Sequence, residues 1–458
     1  MQHDVKVGTA KVVNPILLTL PFLGIWFFYY AERTVSPFYY WGNWVVVALF
    51  FIRYILFCRI YDGFLISINR ISEIVYSQAL ASVISDFLLY VVICLLSKRL
   101  VNPLPLLGAL AAQVLLAGVW AYCAHQWYFS KFPAKRTAVV YDVREGLERL
   151  VEEYGLEKKF NIRAALSVQE ALANKEILNT METVFLSGIH SHDRNILLKY
   201  CVDKDVNVYV IPRIGDVLMS GARSMHMFHL PMLRVGRYHP SPVYLVLKRG
   251  FDILASGIAT VILSPVFAVT AIAIKRYDGG PVFYKQKRLT KDGEIFEVLK
   301  FRSMRVDAEK DGVARLSTGD KDDRITPVGR VIRKVRIDEL PQLLNILKGD
   351  MTICGPRPER PEIAAQYEEE LPEFRLRLQA KAGLTGYAQV YGKYNTTPYD
   401  KLMMDLMYIA HPSFWQDLQI MFATVKILFM KESTEGFEEQ TVGREGSSDK
   451  VPDEGKIA

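Results

Sequence analysis

Four runs in the first third of the chain are apolar on every face, at residues 15–31, 44–61, 78–97 and 104–124. Each is close to the ~20 residues that cross a bilayer as a helix. Trp26, Tyr29, Tyr30, Trp41, Trp44, Trp120, Trp127 and Tyr128 lie near their ends, where interfacial aromatics belong. Arg53 and Asp86 interrupt the second and third runs, and read as an intramembrane pair, a snorkelling residue or an interhelix contact. With four spans both chain ends share one side. That side carries Lys6, Lys11, Arg59, Arg70, Lys131, Lys135 and Arg136 against Arg33, Lys98 and Arg99 opposite, which predicts cytoplasmic termini.

From residue 137 the pattern shifts to short β-like runs (137–141, 160–166, 183–186, 206–211) separated by helical stretches such as 143–154 and 193–203. Strands alternating with crossover helices predict a parallel sheet of Rossmann type. A dinucleotide site would need closely spaced glycines after the first strand, but the chain reads Tyr141-Asp142-Val143-Arg144-Glu145-Gly146. The middle segment is therefore expected to be a scaffold or regulatory module without a cofactor.

A fifth greasy segment, 251–274, is broken at Ser264-Pro265 and flanked by Lys248-Arg249 and Lys275-Arg276. Proline removes a backbone donor and bends a helix. A helix that dips in, turns at Ser264-Pro265 and returns keeps both basic flanks on one face, so a re-entrant hairpin is expected rather than a span. Residues 413–430 are too apolar for an exposed helix and are expected to lie in the interface, to pack on that hairpin or to fill the core. Beyond 432 hydrophobic pattern is lost and disorder is expected. The boundaries that follow are 1–130, 131–240, 241–432 and 433–458.

The 458 residues carry 50% hydrophobic and 23% charged side chains with a net charge of +7. A positive balance suits phosphate-bearing partners or an anionic membrane surface. No helix-turn-helix, zinc-finger or RNP pattern accompanies it, which argues against nucleic acid. The five cysteines show no metal-ligand spacing and read as buried hydrophobes. The absence of G-x-x-x-x-G-K-[ST] and G-x-S-x-G argues against an ATPase and a serine hydrolase.

Asp338-Glu339 precedes a short apolar helix ending at Lys348-Gly349, and taken alone the pair reads as an N-cap with Pro341 in the first turn. Capping leaves Arg330, Arg333, Lys334 and Arg336 unexplained. Cations beside paired carboxylates lower their pKa, leaving one available as a nucleophile and the other as a hard ligand for Mg2+. Gly355-Pro356-Arg357-Pro358 is a stiffened loop offering a guanidinium fork to phosphate oxygens. Lys300-Phe301-Arg302-Ser303-Met304 would place Lys300 and Arg302 on one strand face, which alone reads as solvated.

In order, Lys248-Arg249, Asp252, Ser264-Pro265, Gly280-Pro281, Gln286, Arg288, Lys300 to Met304, Asp338 to Gln342, Gly349-Asp350-Met351, Gly355 to Glu359 and Gly383-Leu384-Thr385-Gly386 resemble the bacterial sugar transferases, the polyprenyl-phosphate glycosyl-1-phosphate transferases. The resemblance covers about residues 244–430, and the preceding spans and Rossmann-like insert give the long form associated with capsule and exopolysaccharide initiation. It implies an α/β membrane protein of the bacterial inner membrane: a four-helix transmembrane bundle, a Rossmann-like middle domain, and an α-rich cytoplasmic catalytic domain with a re-entrant helix.

By the same resemblance a UDP-sugar donates sugar-1-phosphate to undecaprenyl phosphate and releases UMP. Asp338 would attack the β-phosphorus, Glu339 would hold Mg2+, and Arg357 would bind substrate phosphate with Arg333, Lys300 and Arg302 in support. The long form points to glucose or galactose, with an N-acetylamino sugar as the second reading. A catalytically idle scaffold for polysaccharide assembly proteins is the reading from another class. A homodimer through the Rossmann-like domain is also implied. Arg336 stands where many members have Ser or Thr, which bears on donor choice.

Overall fold

The computed structural model describes residues 2–38, 41–142, 147, 151–152, 154–238, 240–305, 308, 324–392 and 397–428. The chain divides into two compact units, Met1–Ile211 and Pro212–Ala458. The tail expected to be disordered and most of the helix expected at 143–154 lie outside the described residues.

The first unit opens with helices α1 (Gln2–Ile25), α2 (Gly42–Ile60), α3 (Ile71–Ser97) and α4 (Leu104–Lys131). Among the described residues, four helical segments are long and apolar enough to cross a membrane, the first running Val7–Arg33 through a π-turn and a 3-10 turn. Their mutual contacts are both apolar and polar. Phe22 stacks on Phe50 at 4.9 Å between ring centres. Nearby, Tyr54 donates to Asn14 Oδ1 (2.7 Å), Asn14 to Gln78 Oε1 (3.1 Å) and Gln78 to the Gly63 carbonyl (2.9 Å), tying three helices by buried hydrogen bonds. Arg53 turns back to the Leu49 carbonyl (3.2 Å), and both oxygens of buried Asp86 lack a hydrogen-bond partner among the described residues.

The unit continues into a parallel sheet of order β2-β1-β3-β4, with β1 Lys135–Tyr141, β2 Phe160–Ser167, β3 Thr183–Ser187 and β4 Asn207–Val210. Thr137 to Val140 are buried without alternation, as a strand covered on both faces must be. Ala138, Val140, Val184 and Leu186 pack with Leu197 and Cys201 of the crossover helix α5 (Ser191–Asp203). The expected alternating α/β pattern is present.

The second unit begins earlier than the hydrophobic pattern suggested. Helix α6 (Ile214–Ser220) buries Val217 in a core with Cys354, Leu371, Phe374, Leu402 and Ile420. A hairpin of β5 (Arg223–Met227) and β6 (Leu230–Arg234) follows. The greasy segment then forms α7 (Pro242–Ile262) and α8 (Ser264–Asp278), bent by 60° at Leu263. Ser241 caps α7 by accepting from the Tyr244 amide, and Ser264 Oγ donates to the Val261 carbonyl at the break.

The burial of α7 is inverted. Tyr244, Asp252 and Ser256 face inward, while Val246, Leu254, Val261 and Ile262 are exposed. Lys248 and Arg249, the basic flank expected on the same face as Lys275-Arg276, are engaged by protein. Lys248 Nζ lies 2.8 Å from buried Asp417, which also accepts from Tyr244 and Tyr408. Arg249 donates to the Ile346 (2.6 Å) and Leu347 (2.8 Å) carbonyls, closing the end of a short helix described below. Asp417 belongs to a later helix (Phe414–Leu428), whose Phe414 meets Phe251 edge-on and whose Ile420 joins the core around Val217 and Cys354, so this helix packs both on the hairpin and in the core.

Candidate active site

The antiparallel pair β7 (Phe283–Leu289) and β8 (Ile295–Phe301) brings Lys300 to the dyad. Helix α9 (Pro327–Lys334), capped by Thr326 through the Gly329 amide (2.9 Å), ends two residues before Arg336. Arg336 adopts a left-handed conformation (φ 54°, ψ 24°), which reverses the chain into a single 3-10 turn, Ile337–Glu339. Helix α10 (Gln342–Lys348) follows, with Pro341 rather than Asp338 at its N-cap and Gly349 (φ +100°) ending it. The dyad carboxylates therefore do not cap the helix.

Glu339 Oε1 lies 3.2 Å from both Lys300 Nζ and Arg357 Nη2. Burial alone would raise the Glu339 pKa, but Lys300, Arg357 and Arg336 outweigh it and hold the carboxyl well below the usual range. Asp338 differs. Burial and the adjacent Glu339 charge push its carboxyl above the ordinary 3.8, against Lys300 and Arg333. Two neighbouring carboxylates thus have their pKa values driven apart, the pattern by which acid, base and nucleophile roles are divided.

Arg357 is carried by the loop after β9 (Thr352–Cys354), which pairs in parallel with β10 (Gly383–Thr385). The two backbones meet at glycines: a Cβ on Gly383 would collide with the Gly355 backbone, and one on Gly355 with the Lys381 carbonyl. Behind the loop, Arg377 Nη2 donates to the Arg357 carbonyl (2.9 Å) and Arg288 Nη1 to the Pro358 carbonyl (2.9 Å). Glu359 lies 2.6 Å from Lys401 and 3.4 Å from Arg377, and Arg377 pairs with buried Asp405 at 2.6 Å. Asp252 of α7 accepts from Thr352 Oγ1 (2.6 Å) and the Ile353 amide (3.1 Å), linking the bent helix to the base of the loop.

The structure gathers Asp338, Glu339, Lys300 and Arg357, with Arg333 close enough to lower the Asp338 pKa. Arg302 is not among them. Its side chain is buried and pairs with Asp278 at the end of α8, where Gly280 leaves room for the guanidinium. Ser264 and Pro265 sit at the helix break. Arg377, Lys401 and Asp405 had no signal in the sequence, because their partners lie 18 or more residues away.

Among the described residues no three His, Cys, Asp or Glu side chains form a closed metal cage. Glu339 takes both cations on one oxygen, Oε1. A site of one or two carboxylates completed by substrate phosphates is how Mg2+ is commonly bound, and these residues fit that open arrangement.

Residues 243–431 match the family model described as bacterial sugar transferase. Over 234 residues the chain is 39% identical to a UDP-N-acetylgalactosamine-undecaprenyl-phosphate N-acetylgalactosaminephosphotransferase of Aeromonas hydrophila, covering 50% of this chain and 54% of that protein. Two UDP-glucose:undecaprenyl-phosphate glucose-1-phosphate transferases also match. That of Caulobacter vibrioides is 39% identical over 206 residues, covering 44% of this chain and 76% of that one. That of Escherichia coli K12 is 32% identical over 284 residues, covering 61% and 56%. The chain thus spans little more than half the length of the Aeromonas and E. coli proteins.

Proposed function

The chain belongs to the bacterial sugar transferase family, and from that premise we propose that it transfers sugar-1-phosphate from a UDP-sugar to undecaprenyl phosphate. The observation that carries this reading is the unequal dyad: Glu339 is clamped by Lys300 and Arg357, while Asp338 beside it is left to react. An Asp338 carboxylate oxygen attacks the β-phosphorus. The bond from that phosphorus to the bridging oxygen breaks, and UMP departs with the bridging oxygen. An oxygen of undecaprenyl phosphate then attacks the same phosphorus, and the aspartyl–phosphorus bond breaks to give the undecaprenyl diphosphate sugar and free Asp338.

Arg357 and Lys300 neutralise charge on the phosphoryl oxygens, and the backbone-braced loop keeps the Arg357 fork in place. Arg333 offers a further cation beside the nucleophile. Mg2+, held by Glu339 and the donor's phosphates, would supply additional charge neutralisation at the leaving group.

Outward apolar side chains on α7 and the 60° bend support a hairpin that enters and leaves the bilayer on the cytoplasmic face. In this reading the site works at the inner surface of the bacterial inner membrane, where both substrates would meet. The donor is proposed to be UDP-glucose or UDP-galactose, serving capsule or exopolysaccharide initiation. The Aeromonas relative's name favours a second donor, UDP-N-acetylgalactosamine. UMP release by the full chain in lipid nanodiscs, with undecaprenyl phosphate, Mg2+ and each UDP-sugar in turn, tests both. Release with a hexose donor is expected; release with no UDP-sugar would defeat the proposal.

A further inference from the structure

Halfway along the helical bundle of the first unit, seven polar atoms are buried and have no hydrogen-bond partner among the described residues. They are both carboxylate oxygens of Asp86, both amide atoms of Gln113, the hydroxyls of Ser82 and Ser85, and Nη2 of Arg53. Residues 41–142, which carry α2, α3 and α4 whole, are described without a break. Asp86 is 3% exposed, and Ser82, Ser85 and Gln113 are fully buried. The groups share one depth: Arg53 and Asp86 each lie eleven residues from the helix end on the same side, Gly42 and Ser97, and Gln113 lies nine from Leu104. At ~1.5 Å per residue this is about 15 Å, half of a ~30 Å hydrocarbon core. Asp86 is near enough to interact with Arg53 of α2 and the Gln113 amide of α4, yet neither is hydrogen-bonded to it. Nor do the two serines bond back to their own helix, as Thr19 does to the Pro15 carbonyl (2.7 Å).

Polar groups at this depth are costly unless something pairs with them. Their own chemistry narrows what that is. The Asp86 oxygens and Gln113 Oε1 need a donor, whereas Gln113 Nε2 and Arg53 Nη2 need an acceptor. A cation would serve only the first set and be repelled by Arg53. An anion would serve only the second and be repelled by Asp86. Water both donates and accepts, and buried polar groups are commonly completed by it. It also has a polar approach. Gln78, Ser82 and Asp86 recur every fourth residue along one face of α3, and Gln78 donates to the Gly63 carbonyl in the loop between α2 and α3. On the other side of Asp86 the buried positions are apolar, Leu89 and Ile93. We infer that Asp86 and Gln113, with Ser82, Ser85 and Arg53, form a binding site for internal water in the middle of the bundle. The inference does not depend on the chemistry proposed for Asp338 and Glu339.

The test uses the full chain in phosphatidylcholine nanodiscs. A cryo-electron microscopy map at a resolution that shows ordered water should hold water density within hydrogen-bond reach of both Asp86 and Gln113. Side chains re-paired directly, Asp86 to Gln113 or to Arg53 with no water between them, overturn the inference, and this arm needs no variant to fold. In infrared difference spectra between ordinary and oxygen-18 water, the wild type should show O–H stretching bands of internal water. Asp86→Leu/Gln113→Leu should lose them, while Asp86→Asn, which still donates and accepts, keeps them at a shifted position. Identical bands in the wild type and the Leu variant, both melting cooperatively, overturn the site. Thermal unfolding in sodium chloride and in choline chloride should give equal midpoints. A sodium-specific rise that Asp86→Asn abolishes overturns water in favour of a monovalent cation.

Discussion

Arg377 donates from Nη2 to the backbone carbonyl of Arg357 at 2.9 Å while remaining 2% exposed at its side chain. The backbone that carries the Arg357 guanidinium is therefore held by a second, buried one. Arg377→Ala leaves Asp405 buried without its cation, and should cost about 3 kcal/mol of stability. The double variant Arg377→Met/Asp405→Leu should recover much of that loss in denaturant titration, yet not the activity, since the Arg357 carbonyl still lacks its donor.

Asp338→Asn is expected to reduce UMP release by at least about 10³-fold. It should also raise the unfolding midpoint, because the buried turn no longer carries a second negative charge beside Glu339. Continued turnover by this variant would falsify the nucleophile assignment.

Acid should act through the two carboxyls on different readouts, activity for Asp338 and stability for Glu339. The Asp338 pKa is raised by burial and by Glu339, and only its carboxylate attacks, so activity falls as pH drops through a value above 3.8. Glu339→Gln removes one of those causes, and the acid limb of single-turnover release should move down. Glu339 itself is depressed below its ordinary 4.5 despite burial, by Lys300, Arg357 and Arg336. Its contribution to stability is complete above about pH 4.5 and drains away as pH falls toward the folded-state value. Lys300→Met should weaken that acid-dependent part of the melting curve; an unchanged curve would count against the clamp.

Gly383→Ala places a methyl against the Gly355 backbone, two residues before Arg357. A destabilisation of about 2 kcal/mol is expected, with activity falling more than tenfold as the loop shifts. Wild-type kinetics in this variant would show that the close approach of the two strands is dispensable.

The proposed hairpin topology predicts where β7 lies. Lys285 is 63% exposed there, and Lys285→Cys should react with an impermeant maleimide only after the inner membrane is opened. Labelling in sealed spheroplasts would turn the bent pair into a fifth span.

The carboxylate pair and the arginine loop that meets it were legible because Asp338-Glu339 and Gly355-Pro356-Arg357 are contiguous, and charge clustered around a short segment reads directly from a sequence. The partners of Arg357 were not. Arg377 and Asp405 are scattered along helices and turns, and a buried ion pair looks like two ordinary surface charges until the chain is folded. Lys248 and Arg249 were readable as a basic flank, but their partners, Asp417 and the end of α10, were not. Arg302 sat in the right motif but has its own carboxylate, Asp278. The cap reading of Asp338 failed because a left-handed residue, Arg336, inserts a separate turn ahead of the helix.

Asp252 bonds directly to Thr352 and Ile353 at the foot of the arginine loop. A lipid-borne acceptor is confined to one plane and cannot rise to meet a protein. With α7 in the bilayer as proposed, two short hydrogen bonds make the immersion of the helix and the altitude of Arg357 a single variable. The molecule then behaves as a gauge as well as a catalyst, and how deeply it floats decides whether the acceptor's phosphate is within reach.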